Sequence, residues 1–369
     1  MVSKRQILSF YGFRGGRGGL TPVMVNLINQ SSVLGLNVHL ILHDDVEELD
    51  KIDKKVDVVR LGKCVDPVKS YVLASYLKKV CPDVLLSSYT EWGNRNAVLA
   101  RQLAGVSTKI VFRVGATPSS TINSFFPFKR WLQMGMLSWS YRQADLIIAN
   151  SEEIVCDIVS TTGVSKDKIM RLNNPTVPED VLERAAKASG HLWLDRQDMP
   201  VVLAVGRLMK VKDFPTLLRA FAIVRRQFEC RLVIVGEGNK RKELAKLASS
   251  LGIAQHFDMP GYSENPFSYM AKAALFVLSS VREGSPNVLI EALACGTPVV
   301  STDCPTGPAE ILENGKYGRL VPVGDVDKMA QAMIEALKQS PAPDVLQSAA
   351  QRYSADLCSR QYLEAMGLI

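Results

Sequence analysis

Short apolar runs alternate with stretches of helical period along the chain. Residues 6–11 form one such run, a glycine-rich turn follows, and residues 21–34 repeat apolar positions at helical spacing. Residues 37–42 (NVHLIL), 83–87 (DVLLS), 109–113 (KIVFR) and 145–149 (DLIIA) are further runs, with helical stretches between them. Strands separated by helices predict a parallel sheet with right-handed crossovers, the doubly wound α/β class. A second series begins at 201–205 (VVLAV) and continues through 231–235 (RLVIV), 275–278 (LFVL) and 298–301 (PVVS). Between the two series, residues 173–200 hold Pro175, Pro178 and Pro200 around a charged helical patch, which reads as an inter-domain linker. Two doubly wound domains in tandem predict an inter-domain crevice at the carboxyl ends of both sheets, where such folds bind ligands.

Composition narrows the class. The 369 residues suffice for two domains, and a hydrophobic share of 47% with 22% charged residues excludes wholesale disorder. No apolar stretch approaches the ~18–20 residues of a membrane-spanning helix. The run after Lys4 and Arg5 reads as a strand with no cleavage site behind it, so we expect no secretory signal and a cytoplasmic protein. Cysteines 64, 81, 156, 230, 295, 304 and 358 include no C-x-x-C pair and read as buried free thiols in a reducing compartment. His39 and His43 fall on one strand face, but nothing near them completes a metal site, and they read as structural. The net charge of +7 lies wholly within residues 1–175, while the remainder balances. A one-sided basic surface suits nucleic acid, an acidic lipid surface or a phosphate-bearing substrate, although basic surfaces without partners are common.

The stretch richest in chemistry is 279–291, SSVREGSPNVLIE. It follows an apolar strand, and Pro286 is placed to open a helix with Ser285 as its N-cap; Gly296 supplies the stop. Free N–H groups at such a helix start form an anion site suited to a diphosphate. Glu283 before the helix and Glu291 within it would repel phosphate, unless they accept hydrogen bonds from neutral sugar and ribose hydroxyls. Taken alone, the pair also fits an acid favoured by the helix dipole and a solvated helix residue. Upstream, Gly206 ends the first strand of the second series, Arg207 follows, and Lys212 stands before another helix. Two cations at a strand's carboxyl end suit a leaving diphosphate, Arg by a bidentate fork and Lys as a point charge. A solvated basic loop is the plainer reading, and it fits Lys210 better than Arg207.

Four blocks occur in order: 206–214 (GRLMKVKDF), 234–238 (IVGEG), 257–262 (FDMPGY) and 283–312 (EGSPNVLIEALACGTPVVSTDCPTGPAEIL). Together they strongly resemble the family-4 retaining glycosyltransferases of bacteria, the group 1 type of cell-surface polysaccharide synthesis. The resemblance is close over residues 200–325 and looser in the first half. It implies the GT-B fold, with residues 1–175 as the acceptor-binding Rossmann-like domain, rejoined by a C-terminal helix at 355–369. Residues 195–345 would form the domain that binds the nucleotide-sugar donor.

Carried across residue by residue, the resemblance implies that Glu283 accepts hydroxyls of the donor sugar beside the anomeric carbon. Backbone N–H groups of Gly284, Ser285, Pro286, Asn287 and Val288 (proline excepted) would hold sugar and phosphate. Glu291 would bind the ribose hydroxyls, and Arg207 and Lys212 the diphosphate. Gly206 and Gly236 would line the donor site, and the loop at Pro260, Gly261 and Tyr262 would meet the base. Gly15, Gly16, Gly18 and Gly19 match the glycine-rich loop that lets donor and acceptor approach closely. Read from the residues alone, that loop is also a weak dinucleotide fingerprint whose spacing breaks down. One departure concerns the strand at 109–113: many relatives carry a His after it, where this chain has Val114 and Gly115. Arg113 or Thr117 are the candidate substitutes.

The acceptor side has a second feature. Residues 124–141 (SFFPFKRWLQMGMLSWSY) place Phe125, Phe126, Phe128, Trp131 and Trp139 around Lys129 and Arg130. Aromatics beside cations suit the headgroup level of an anionic bilayer; a core helix with one exposed turn is the alternative. No nucleic-acid motif is present.

The expectation is a metal-independent, retaining hexosyltransferase without a cofactor. It would move a hexose or N-acetylhexosamine from a nucleotide-diphosphate sugar, UDP favoured over GDP, to a cell-surface or lipid-linked glycan precursor. Peripheral attachment to an anionic membrane at its inner face goes with that expectation. Two alternatives remain at this point: a nucleotide-sugar isomerase, which the shortage of histidines opposes, and a catalytically silent subunit, which intact Glu283, Glu291, Arg207 and Lys212 oppose.

Overall fold

A computed structural model describes residues 6–16, 18–88, 91–122 and 127–369. Phe125 and Phe126 lie outside these residues, as do Arg17 and the side chains of Phe128, Lys129 and Arg130. The chain divides into two compact units, Met1–Thr176 with Ala355–Ile369, and Val177–Ser354.

The first unit is built on a parallel sheet of β1 (Ile7–Tyr11), β2 (Asn37–Leu42), β3 (Asp57–Arg60), β4 (Val84–Ser87), β5 (Lys109–Val114), β6 (Leu146–Ala149) and β7 (Ile169–Arg171). Their spatial order is β3-β2-β1-β4-β5-β6-β7. The second unit carries β8 (Val201–Val205), β9 (Arg231–Val235), β10 (Phe257–Gly261), β11 (Leu275–Leu278), β12 (Val299–Thr302) and β13 (Arg319–Val321). These run parallel in the order β10-β9-β8-β11-β12-β13. Each sheet grows outward in both directions from its first strand, so the order reverses between β1 and β4 and again between β8 and β11. Open α/β sheets bind ligands at that reversal, outside the carboxyl ends of the strands.

Interior strands are apolar on both faces because helices cover both. Val202 and Ala204 of β8 pack with Leu217, Phe221 and Met329 on one side, and Val201 and Leu203 with Leu289 and Leu293 on the other. The interior strands fall at the predicted runs. The four the pattern did not predict, β3, β7, β10 and β13, are the four sheet edges. An edge strand lacks one neighbour and tolerates polar residues: Asp57 and Arg60 at the ends of β3 are exposed.

Residues 177–200 differ from the linker the prolines suggest. Two short helices, Val181–Ala186 and Leu192–Arg196, bury Val181, Ala185 and Leu194 in the second unit's core. Val177 N–H donates to the Tyr353 carbonyl at 3.0 Å. The second unit therefore extends beyond 195–345 at both ends. The helix Ala355–Met366 returns to the first unit, where Tyr362, Leu363 and Met366 share a core with Leu8, Phe10 and Leu27. All seven cysteines are free, but against the expectation of buried thiols Cys81, which caps the end of a helix, and Cys156, on a helix surface, are exposed, and Cys64 and Cys295 are half-buried. Among the described residues no helix is long and apolar enough to cross a membrane.

Candidate active site

The second unit's reversal point is closed by side chains from two loops. Behind β8, Gly206 and Arg207 lead into a single turn at Lys210–Lys212. Behind β11, residues 279–286 lead into the helix Asn287–Ala294. The Lys212 side chain crosses Gly206, where a Cβ would stand 3.2 Å from its Cε. Its Nζ then reaches Glu283 Oε1 at 2.6 Å. Ser280 Oγ donates to the same oxygen at 2.5 Å, and Thr306 Oγ1 donates to the Glu283 carbonyl. The loops are also joined by two further bonds: the Ser279 side-chain Oγ donates to the Lys212 carbonyl at 2.7 Å, and Val281 N–H to the Val211 carbonyl at 2.9 Å. With side chains only 17% and 13% exposed, the pair is screened far less than a surface ion pair. Sequence reasoning assigned Lys212 to phosphate and Glu283 to sugar; the structure brings them into direct contact. Arg207 is exposed, and its guanidinium makes no ion pair or hydrogen bond to the described residues, so it is available to an anion.

Three glycines lie at the carboxyl ends of β8, β9 and β10. Gly236 N–H donates to the Gly261 carbonyl at 2.7 Å, and Gly206 N–H to the Val235 carbonyl at 2.9 Å. A Cβ on Gly236 would stand 2.1 Å from the Gly206 carbonyl oxygen, so no larger residue fits there. Tyr262, directly after Gly261, is 42% exposed.

The helix after Glu283 starts one residue later than Pro286 predicts. Pro286 is the N-cap and Asn287 the first helical residue, and no side chain caps the end; Ser285 instead offers its carbonyl to the Asn287 N–H at 2.9 Å. The Asn287 amide, one of the expected set, is thereby bonded within the turn. The amides of Gly284, Ser285 and Val288 make no internal bond.

Glu291 lies on the second turn of this helix and is 7% exposed. Burial pushes its carboxyl from the ordinary 4.5 up to about 7, and the Arg184 guanidinium opposes that shift. The carboxyl makes no hydrogen bond to the described residues, yet its oxygens are not sealed among the buried unpartnered atoms. A buried acid left in this state suits an incoming hydroxyl. Arg184 itself stacks 4.7 Å over the Phe267 ring and donates to the Glu264 carbonyl at 3.4 Å. Beside Glu283, burial and then the Glu283 charge hold the Cys304 thiol up at about 11, so it supplies no thiolate near neutral pH.

Sequence reasoning missed three contributors. Ser280 stands three residues before Glu283 and Thr306 lies within a quoted block, so both were visible without a role. Arg184 sat in the presumed linker and carried no signal. In the first unit, Arg113, one candidate for the absent His, is 5% exposed and donates to Asn174 Oδ1 at 2.6 Å. Among the described residues, no three His, Cys, Asp or Glu side chains gather as a metal site.

The family of glycosyl transferases group 1 matches residues 193–353, which hold Gly206, Arg207, Lys212, Glu283 and Glu291 but not Arg184. Over 336 residues the chain is 31% identical to a Campylobacter jejuni enzyme, covering 89% of each protein. That enzyme is an N-acetylgalactosaminyltransferase acting on N-acetylgalactosamine-N,N'-diacetylbacillosaminyl-diphospho-undecaprenol. The chain belongs to the group 1 glycosyltransferases. The amylovoran biosynthesis glycosyltransferase AmsD of Erwinia amylovora is 35% identical over 81% of each chain. Among solved structures, Anabaena HepE in complex with UDP superposes with a TM-score of 0.81 at 19% identity, over 99% of this chain and 100% of that one. The lipopolysaccharide outer core galactosyltransferase WaaB gives 0.72 at 21% identity, over 98% of this chain and 99% of that one. The architecture of this glycosyltransferase is thus GT-B.

Proposed function

We propose that this glycosyltransferase moves a hexose or N-acetylhexosamine from a UDP-sugar to a cell-surface or lipid-linked glycan precursor, with retention and without a metal ion. The observation that carries the reading is the Lys212–Glu283 pair at the reversal point of the second sheet. Lys212 and Arg207 meet the diphosphate, free amides of the 284–288 turn assist, and Glu283 accepts sugar hydroxyls. Glu291 accepts the ribose hydroxyls. These cations and amides are aimed where charge gathers on the leaving group, the arrangement that stabilises a transition state electrostatically. No protein nucleophile is required. The bond from the anomeric carbon to phosphate oxygen breaks, the bond to the acceptor oxygen forms on the same face, and the acceptor proton passes to the departing phosphate.

Donor and acceptor classes draw support from the relatives: HepE holds UDP, and the Campylobacter enzyme is named for a diphospho-undecaprenol acceptor. Attachment at the inner face of an anionic membrane draws support from the first unit. There the helix Pro127–Gln143 carries an apolar cavity of about 520 Å³ lined by Trp131, Leu132, Met134 and Trp139. Trp131 is 76% exposed, and Lys129 and Arg130 precede it in sequence. The test is a screen of labelled UDP-, GDP- and ADP-sugars with membrane extract, followed by NMR of the product's anomeric configuration. Transfer from a UDP-sugar with retention is expected. Conversion of the donor without acceptor would favour an isomerase, and consumption of no donor a silent subunit.

A further inference from the structure

The glycine-rich loop of the first unit follows β1, one of the two strands at that sheet's reversal point. It is gripped from one side by a residue that the sequence did not single out. Glu48 lies on the short helical turn Glu47–Lys51, in the connection after β2, and is 9% exposed. Its Oε1 accepts the Gly16 N–H at 2.6 Å. Its Oε2 is buried without a partner among the described residues, and a Cβ on Gly15 would stand 2.1 Å from it. Gly15 also lies on Val46, 3.1 Å from that same Cβ position, and carries a φ of +65°. At Gly16, by contrast, a Cβ would meet nothing within 4 Å among the described residues. Burying a carboxylate is costly unless it is bonded. Among the described residues the one hydrogen bond of this carboxylate goes to the loop, so the arrangement serves the loop's conformation rather than the core.

We propose that Glu48 is a positioning residue for the transfer reaction: through the Gly16 amide it holds the glycine-rich loop in one conformation at the carboxyl end of β1. The inference rests on the transferase reading above. Glu48 touches no substrate; it fixes the loop that does. The missing side chain at Gly15 is what lets the carboxylate come close enough.

Two measurements on the full chain test this. In hydrogen exchange, the segment 12–16 is expected to be protected in the wild type, in Glu48→Gln, which keeps an acceptor oxygen, and in the exposed control Glu47→Gln. It should exchange about tenfold faster or more in Glu48→Ala, the effect of losing one charge-assisted bond. Gly15→Ala should loosen the same segment through its collision with Oε2. Combining it with Glu48→Ala should give less than the product of the two effects, and Gly15→Ala carries the test alone if Glu48→Ala fails to fold. In steady-state transfer, Glu48→Ala should lower kcat about tenfold with the donor KM within about twofold, and Glu48→Gln should restore most of it. Unchanged exchange in Glu48→Ala overturns the clamp. Faster exchange with unchanged kcat overturns its part in the reaction. If the wild type transfers from no donor, the transferase reading fails, and the exchange result still decides the clamp.

Discussion

Glu291→Gln removes the ionisation of a carboxyl that the fold holds at about 7 against an ordinary 4.5. An acid whose folded pKa is raised loses stability as pH climbs: the unfolded chain gives up its proton near 4.5, and the native state keeps it until about 7. The penalty is absent below pH 4.5, grows between the two values and is constant above 7. At 1.36 kcal/mol per unit, a shift of this size is worth about 3 kcal/mol in the ligand-free protein. Glu291→Gln should therefore be nearly neutral in urea unfolding at pH 4.5 and more stable than wild type at pH 8, by up to about 3 kcal/mol. Nucleotide binding should show the opposite face of the same group. If ribose hydroxyls donate to the carboxylate, binding favours the ionised form, so affinity for the free nucleotide diphosphate should rise from pH 6 to 8 and level off. Calorimetry below pH 7 in buffers of different ionisation enthalpy should detect proton release on binding. Glu291→Gln should abolish both signals and weaken binding at pH 8, since each bond to a charged group is worth about 1.5–3 kcal/mol. Arg184→Met removes the charge that opposes the shift, and should move the midpoint of the affinity profile upward. An affinity independent of pH between 6 and 8, or a glutamine variant no more stable at pH 8, would refute the assignment.

Lys212→Ala should lower turnover more than it raises the donor KM, by roughly 10²–10³ in kcat if Lys212 meets charge that develops on the leaving diphosphate; a pure rise in KM would mark a ground-state contact. Transfer should survive EDTA, and complete loss restored by manganese or magnesium would overturn the metal-free reading. Binding to anionic liposomes should fall as salt rises and be lost in Lys129→Glu/Arg130→Glu, because each basic residue near an acidic surface is worth about 1 kcal/mol; equal sedimentation with anionic and neutral lipid would count against it. Gly236→Ala should destabilise the second unit without touching the first, seen as a lowered midpoint for that unit's peptides in hydrogen exchange against urea.

The sequence by itself determined the interior of both sheets. Strands such as β8 and β11 bury both faces, so they appear as unbroken apolar runs, and local pattern suffices to place them. It also marked Glu283, Glu291, Arg207 and Lys212 as candidates, because residue type and spacing are visible without a structure. Tertiary structure decided what pattern could not carry. The edge strands β3, β7, β10 and β13 have a neighbour on one side only, and their polar residues hide them. The prolines at 175, 178 and 200 marked a break in regular structure, but not which core the segment between them would join. Lys212 and Glu283 are 71 positions apart, and only the pairing of β8 with β11 makes them an ion pair. Arg184 reaches the environment of Glu291, and Glu48 the Gly16 amide, across connections whose course depends on packing. Spacing along the chain identifies groups; the sheet order, set by non-local burial, decides which of them meet.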